Sequence, residues 1–416
     1  MWRRYLFLLL SFCLCVGSPY AIGGGFVLRF DRIVDGDGQE LQHREIAVDN
    51  GRIVAIGDEL GQLYPSAEVL QLDGLTAIPG LIDVHVHMTY GLRNDTGGDP
   101  WSKLFSSSPQ DRLVASVANA QAAISSGVTT ARDLSAFDHV DFHLRELIRS
   151  GTVVGPRLFL SGLGLHLLSL PQVPEGQSRD IVAEFSRQAR HRVELGADWI
   201  KVFATTGSAE DLSGDQVFFY PEIKAATEIA HGAGRKVAVH AYGPSAVPDA
   251  LRAGVDSIEH AVGMSDELLR HWAATDTFYV PTIDHNRYYA EHREEYGYDR
   301  ITEKNLRNFV DRNTETLQRA IEHGVQIAMG SDVVMSMFGE NARELEWFVE
   351  AGMTPGEAIR TATANGALLL GQEHTLGRIA EGYVADIVGV GGNPLKDIRA
   401  VTRRVEWVMK NGMVVP

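Results

Sequence analysis

The 416-residue chain is predicted to be an α/β protein: a (β/α)8 TIM-type barrel with a small β-sandwich domain built from both chain ends. Three observations predict it. Strand-like apolar runs recur eight times through the middle of the chain, most of them separated by segments of helical character. Both ends consist of shorter alternating runs punctuated by turn signals. Ligand-type side chains gather at the C-terminal ends of the middle runs, where barrel enzymes carry their sites.

The first residues, "MWRRYLFLLLSFCLCVGSPYA", place Arg3 and Arg4 before an apolar run from Tyr5 to Val16, followed by small and turn-forming residues. This is the shape of a secretory signal, too short to span a bilayer comfortably, with cleavage expected near Ala21. Both cysteines, Cys13 and Cys15, lie inside it, preceded by Phe12 and Leu14 rather than the small residue a bacterial lipoprotein signal wants. The mature chain is therefore expected in the periplasm or outside the cell, with no disulfide and no stable membrane anchor. The formal net charge of −16 becomes −18 without the two arginines, which argues for solubility and against a nucleic-acid partner.

After Gly23, Gly24 and Gly25, residues 26–78 give short alternating runs, with Asn50-Gly51 as a hairpin signal. Residues 375–416 repeat the style, with Asn411-Gly412 as another turn, so the two ends are read as one discontinuous domain. The barrel is assigned to 79–374. Its strands are predicted at 81–87, 127–134, 157–162, 199–207, 236–243, 257–262, 278–283 and 326–333. A late helix is predicted over 354–371, with Thr354 as N-cap and Gly371 as stop.

In "PGLIDVHVHMTY" (79–90), His85 and His87 stand two apart and so share one strand face. Other strand ends supply Lys201, His240, His260 and Asp332. Each alone has a dull explanation as a packed or half-exposed residue; six at matching ends of one barrel do not. Four imidazoles and a carboxylate suit a borderline divalent metal such as zinc. An ammonium would repel that metal, so Lys201 either stays outside as a salt-bridging group or ligates after carboxylation, in which case its carbamate bridges two cations.

"HVH" after "PGLID", the lysine of "IKVFATTG", "VHAYG", "IEH" and "GSD", in this order, resemble the amidohydrolase superfamily, and more narrowly its imidazolonepropionase-related, prolidase-like branch of metal-dependent dipeptidases and carboxypeptidases. The resemblance covers nearly the whole mature chain. It implies two divalent metals: His85, His87 and Asp332 on one, His240 and His260 on the other, and carboxylated Lys201 between them. A metal-activated water would attack the scissile carbonyl, with Asp332 passing the proton to the leaving amine. Tyr242, two residues after His240, would donate to the developing oxyanion or merely pack at the rim. His166 is a candidate for holding the substrate's carbonyl or carboxylate. In "PTIDHNRYY" (281–289), Arg287 and Tyr288 could grip a substrate carboxylate, or Arg287 could simply be solvated. His139, His143, His191, His231 and His292 read as surface residues, and Glu259 as a support of the barrel wall.

The resulting expectation is hydrolysis of an amide bond in a small carboxylate-bearing molecule, a dipeptide or an N-acyl amino acid. Proline dipeptides, basic C-terminal residues and amide-linked toxins such as ochratoxin are among the substrates the resemblance implies. A single-metal deaminase or imidazolonepropionase-type ring hydrolase, a lactonase or esterase, and an inactive structural barrel are the alternatives. The partner is a small molecule; a homo-oligomer is left open.

Overall fold

The computed structural model describes residues 25–91, 100–170 and 180–416. The leader expected over 1–21, with Cys13 and Cys15, lies outside them. Four strands open the described chain: β1 (Phe26–Ile33), β2 (Glu45–Asp49), β3 (Arg52–Gly57) and β4 (Glu68–Pro79). Seven follow: β5 (Leu81–Val86), β6 (Val128–Asp133), β7 (Arg157–Leu160), β8 (Trp199–Phe203), β9 (Lys236–Ala241), β10 (Ser257–His260) and β11 (Phe278–Val280). Three close it: β12 (Ile387–Gly391), β13 (Val405–Lys410) and β14 (Met413–Val414).

Both chain ends build one sheet, in the order β14-β13-β12-β4-β1-β2-β3. β4 pairs with β1 on one side and with β12 on the other, so residues more than 300 apart in sequence share a ladder. The two Asn-Gly turns are hairpins for a steric reason: Asn50 and Gly51 have φ of 47° and 76°, Asn411 and Gly412 of 51° and 73°, and the tight turn that matches strand twist needs positive φ at both positions. The strands of the end domain belong to one mixed seven-stranded sheet, which has its own apolar cluster around Leu28, Ile46, Ile53 and Ile387.

The middle of the chain forms two parallel sheets, β5-β6-β7 and β8-β9-β10-β11. Their strands are almost wholly buried, as expected where helices cover a parallel sheet. The predicted eighth strand, 326–333, is not a regular strand. It joins the sheets through isolated parallel bridges, Tyr279 to Ile327 and Val86 to Val333, while Leu165 to Val202 links the other edges. The pleat breaks because Asp332 takes a left-handed conformation, φ 54°, and its N–H donates to the His85 carbonyl at 2.7 Å. Among the described residues, five helices begin on caps readable in sequence: Ser108, Asp180, Ser265, Asp299 and Thr354 each accept the N–H three residues on. The helix predicted over 354–371 is two, Pro355–Thr361 and Ala364–Leu370, because Thr363 leaves helical geometry and its hydroxyl donates to the Gly36 carbonyl in the turn after β1.

Candidate metal centre and active site

All six predicted ligand residues line one cavity of about 460 Å³ at the C-terminal ends of the middle strands. β5 presents His85 and, one residue beyond it, His87; their rings lie 5.4 Å apart, as the i, i+2 spacing requires. β8 presents Lys201, β9 His240 and β10 His260, with the His240 and His260 rings 4.6 Å apart and His85 5.2 Å from His260. Asp332 sits among them, its carboxylate 3.1 Å from His87 Nε2 and 3.5 Å from His85 Nε2. His85, His260 and Asp332 each offer a donor atom within 4.8 Å of the others.

The imidazoles are aimed by what their other nitrogens touch. His85 Nδ1 lies 2.7 Å from the Glu259 carboxylate, which can only accept, so Nδ1 carries the proton and the Nε2 lone pair faces the cluster. His87 Nδ1 likewise donates to the Ser135 carbonyl at 3.3 Å, and His260 Nδ1 meets the Thr282 hydroxyl at 2.7 Å. Glu259 is itself braced by Arg132, a fully buried arginine whose Nη2 lies 3.0 Å from it and whose guanidinium stacks 4.2 Å over Trp199. Asp83 fastens the two sides of the opening: it accepts the N–H groups of His85 at 3.1 Å and Ser331 at 3.0 Å, and burial pushes its carboxyl up to about 6.

Protonation follows from this packing. Burial holds His240 and His260 well below the ordinary imidazole value, and burial together with Lys201 brings His85 down to about 4. All three are therefore neutral, as ligation requires. Burial opposes ionisation of Asp332, but His285, His85 and His87 outweigh it and hold the carboxyl well below its usual range. Lys201 is 1 % exposed, its Nζ has no hydrogen-bond partner among the described residues, and burial draws it down to about 8. A buried ammonium without a hydrogen-bond acceptor is unfavourable, whereas a neutral amine suits a pocket lined by metal-ligating side chains. The donor set and the orphaned amine fit divalent metal.

Across residues 76–415 the chain matches the amidohydrolase family. The chain belongs to that family. This amidohydrolase is 29 % identical over 413 residues to ochratoxinase of Aspergillus niger, covering 91 % of this chain and 84 % of the ochratoxinase. Among solved structures it is similar to a Xaa-Pro dipeptidase with bound methionine, with a TM-score of 0.81 at 28 % identity over 94 % of this chain and 99 % of the dipeptidase. It is also similar to the A. niger ochratoxinase structure, with a TM-score of 0.80 at 26 % identity over 94 % and 95 % of the two chains. It is accordingly a metal-binding hydrolase acting on C–N bonds, and the family's architecture implies a TIM-type barrel plus a second domain.

Around the centre, the amidohydrolase places some predicted residues on the cavity and others off it. Tyr242 lines it, its ring stacked 4.9 Å from His260 and pressed against Gly207, where a Cβ would fall 2.1 Å from Tyr242 Cδ2. His166 is half-buried beside Phe203 and is not on the cavity wall. Arg287 is 6 % exposed and faces away: Asp284 grips it through two 2.8 Å bonds, and Glu291 and Glu340 take the rest of the fork. Tyr288 packs on His292 and bonds the Ser336 hydroxyl, also off the cavity. Both expectations fail because helix Ile283–Glu291 turns other residues inward, namely His285 and Tyr289.

Sequence reasoning misses His285, although it lies in the same stretch as Arg287. Its Nδ1 donates to the Asp332 main-chain carbonyl at 2.6 Å and its Nε2 lies 3.5 Å from the Asp332 carboxylate. Glu259 also departs from expectation. It faces the interior, in register beside His240 and on the face of Ser257, and His260 reaches the cavity too because its φ of 71° breaks the alternation. His139, His143, His191 and His231 are exposed as expected, while His292 is half-buried under Tyr288.

Proposed function

We propose that the chain is a binuclear amidohydrolase that cleaves the amide bond of a small carboxylate-bearing substrate, a dipeptide or an N-acyl amino acid, ochratoxin-like amides included. The observation that carries the proposal is the gathering of four imidazoles, one carboxylate and one buried lysine in a single cavity. His85, His87 and Asp332 would hold one ion and His240 and His260 the other, with N-carboxylated Lys201 as the shared ligand. Zinc suits these donors. When bound, such ions supply Lewis acidity and an acidified water.

The protein's own groups do the rest. Asp332, ionised despite its burial, accepts the proton of the attacking water and returns it to the leaving nitrogen, so that the amine departs neutral. Tyr242 stays a neutral phenol because burial and the Asp332 charge push its pKa up, and its hydroxyl donates to the carbonyl oxygen as negative charge develops there. The ochratoxinase and the Xaa-Pro dipeptidase among the relatives support a small substrate of this class. The expected leader at 1–21 supports action in the periplasm or outside the cell.

A single-metal site is the second reading, favoured by the compactness of His85, His260 and Asp332. Metal analysis of the zinc-loaded protein, combined with a screen of dipeptides and N-acyl amino acids that includes ochratoxin A, separates the two. Two ions per chain with turnover of at least one amide is the expected result. Full activity at one ion per chain would sink the binuclear reading, and turnover of lactones with none of any amide would sink the amide reading.

A further inference from the structure

A second cavity, of about 570 Å³, opens at the other end of the middle strands and shares no lining residue with the first. It reaches Arg157, the first residue of β7, and is bounded on one side by the hairpin of β13 and β14. Its volume falls in the range of small-molecule sites. Ile124, Ile148 and Leu158 give it a buried apolar floor. Val154, Met413 and Val414 line it too, yet are 40 %, 69 % and 40 % exposed. Single exposed apolar residues are ordinary, whereas three around one cleft make a surface that the apolar part of a ligand would cover.

The charge of this cleft is one-sided. Arg145, Arg149, Arg157 and Lys410 line it, and no acidic side chain does. Three of the four are paired through carboxylates that stand outside the lining: Arg145 with Asp198 at 2.9 Å, Arg157 with Asp386 at 2.8 Å, and Arg149 with Glu146 of its own helix at 2.7 Å. Lys410 is the exception. Its Nζ gives one of three protons to the Gly155 carbonyl at 2.6 Å and makes no ion pair with any described residue, Pro416 included. Burial and the Arg157 charge draw the amine down to about 8, and Asp386 offsets them only in part. At pH 7 it is therefore a cation without a close counter-charge, and a carboxylate beside it would accept the remaining protons in charge-assisted bonds.

We propose that this cleft is a second binding site, for a free medium-chain carboxylate, with the alkyl chain lying among Ile148, Leu158 and Val414 and the carboxylate meeting the Lys410 ammonium. A single negative charge matches the one unpaired cation. The protein's net charge of −16 repels anions in general, so an anion is held only where a local cation and apolar cover occur together, as they do here. The site stands apart from the metal cavity, and its occupancy does not depend on what is hydrolysed there.

Isothermal titration calorimetry on the full zinc-loaded chain tests it with decanoate, octanoate and 1-octanol, the neutral counterpart of octanoate. Decanoate is expected to bind one per chain with a dissociation constant of about 10 µM. Octanoate should bind about fifteenfold more weakly, for two methylenes fewer, and octanol about a further tenfold more weakly, for the lost charge-assisted bond. Lys410→Met should bring octanoate to the level of octanol and leave octanol unchanged, Lys410→Arg should restore most of the difference, and Met413→Ser, at an exposed position, should weaken all three ligands several-fold. Octanol binding as tightly as octanoate overturns the proposal. So does octanoate binding that survives Lys410→Met, a result that would put the carboxylate in the metal cavity instead. Should Lys410→Met lose octanol as well, Met413→Ser decides: weakened decanoate binding supports the cleft, and unchanged binding overturns it. Lys410-dependent binding to phosphatidylglycerol vesicles without binding of monomeric decanoate would assign the cleft to a lipid surface, and a dimer that Met413→Ser dissociates while decanoate stays unbound would assign it to a second copy of the chain. Either result overturns the free carboxylate.

Discussion

The floor and the wall of this one cavity are made in different ways. The floor is polar and charge-dense: strand alternation aims His85, His87, Lys201 and His240, while left-handed backbone turns His260 and Asp332 onto the cavity. His85, His87 and His260 are then aimed by partners outside the cavity, such as Glu259 for His85 or Thr282 for His260. The wall is aromatic and comes from helices and loops beyond β5 and β11, where rings contact one another rather than the backbone. The lesson is a division of labour: strands hold what must be placed to within a fraction of an ångström, and helices carry what must only present a surface.

Substitutions in the floor should therefore break chemistry, and substitutions behind the wall should not. The largest effect is expected for Asp332→Asn, which removes the proton acceptor and should lower kcat about 10³-fold while metal content and Tm hold. Unchanged turnover would remove Asp332 from its proton role. Glu259→Gln should weaken metal retention by about 10–100-fold in chelator competition, since His85 loses its ionised partner. Wild-type retention would return Glu259 to a purely structural role. Gly207→Ala forces a Cβ to 2.1 Å from Tyr242 and 2.8 Å from His240 Nε2, and should cost about tenfold in kcat with little change in KM, as misplacement of positioned groups does.

A pH experiment probes the orphaned lysine. Its folded pKa, drawn down by burial to about 8, lies below the ordinary 10.5, so between these values the unfolded chain binds a proton that the folded metal-free chain does not. Stability therefore rises with pH across that window, and Lys201→Met should flatten the slope by about 2 kcal/mol in denaturant midpoints compared at pH 8 and pH 10. An identical slope in the variant would show that the proton is carried elsewhere. The smallest effect on turnover is expected for Arg287→Gln. It leaves Asp284 without its buried partner and should lower stability by about 3 kcal/mol, yet KM should stay within about twofold because the side chain faces away from the cavity. A large rise in KM would restore its grip on substrate.

Much of the floor is legible in the sequence, because period-two alternation and strand ends are local properties. His85 and His87 share a face for that reason, and the run around Lys201 or His240 reads as a strand whatever it packs against. Where local geometry breaks, sequence pattern misleads. Strand register sets Glu259 inside and the left-handed backbone turns His260 to join it, and the left-handed Asp332 dissolves the eighth strand. The helix at 283–291 is the clearest case. Residues 283–290 are all buried, so no polar face marks which side meets the cavity; Arg287 and Tyr288 read as the substrate-facing pair, whereas His285 and Tyr289 face inward. Alternation in the terminal strands likewise shows a buried face but not whether one sheet or two would cover it.

By itself, then, the sequence determined the alternation of strands and helices, the Asn-Gly hairpins and the six ligand-type residues at strand ends, since each depends on neighbours along the chain. Only the tertiary structure decided which imidazole nitrogen faces the cluster, that Lys201 Nζ has no hydrogen-bond partner among the described residues, and which rings close the wall. These depend on groups far apart in sequence, such as Glu259 against His85 or Trp101 against Tyr289, whose meeting is set by packing in three dimensions.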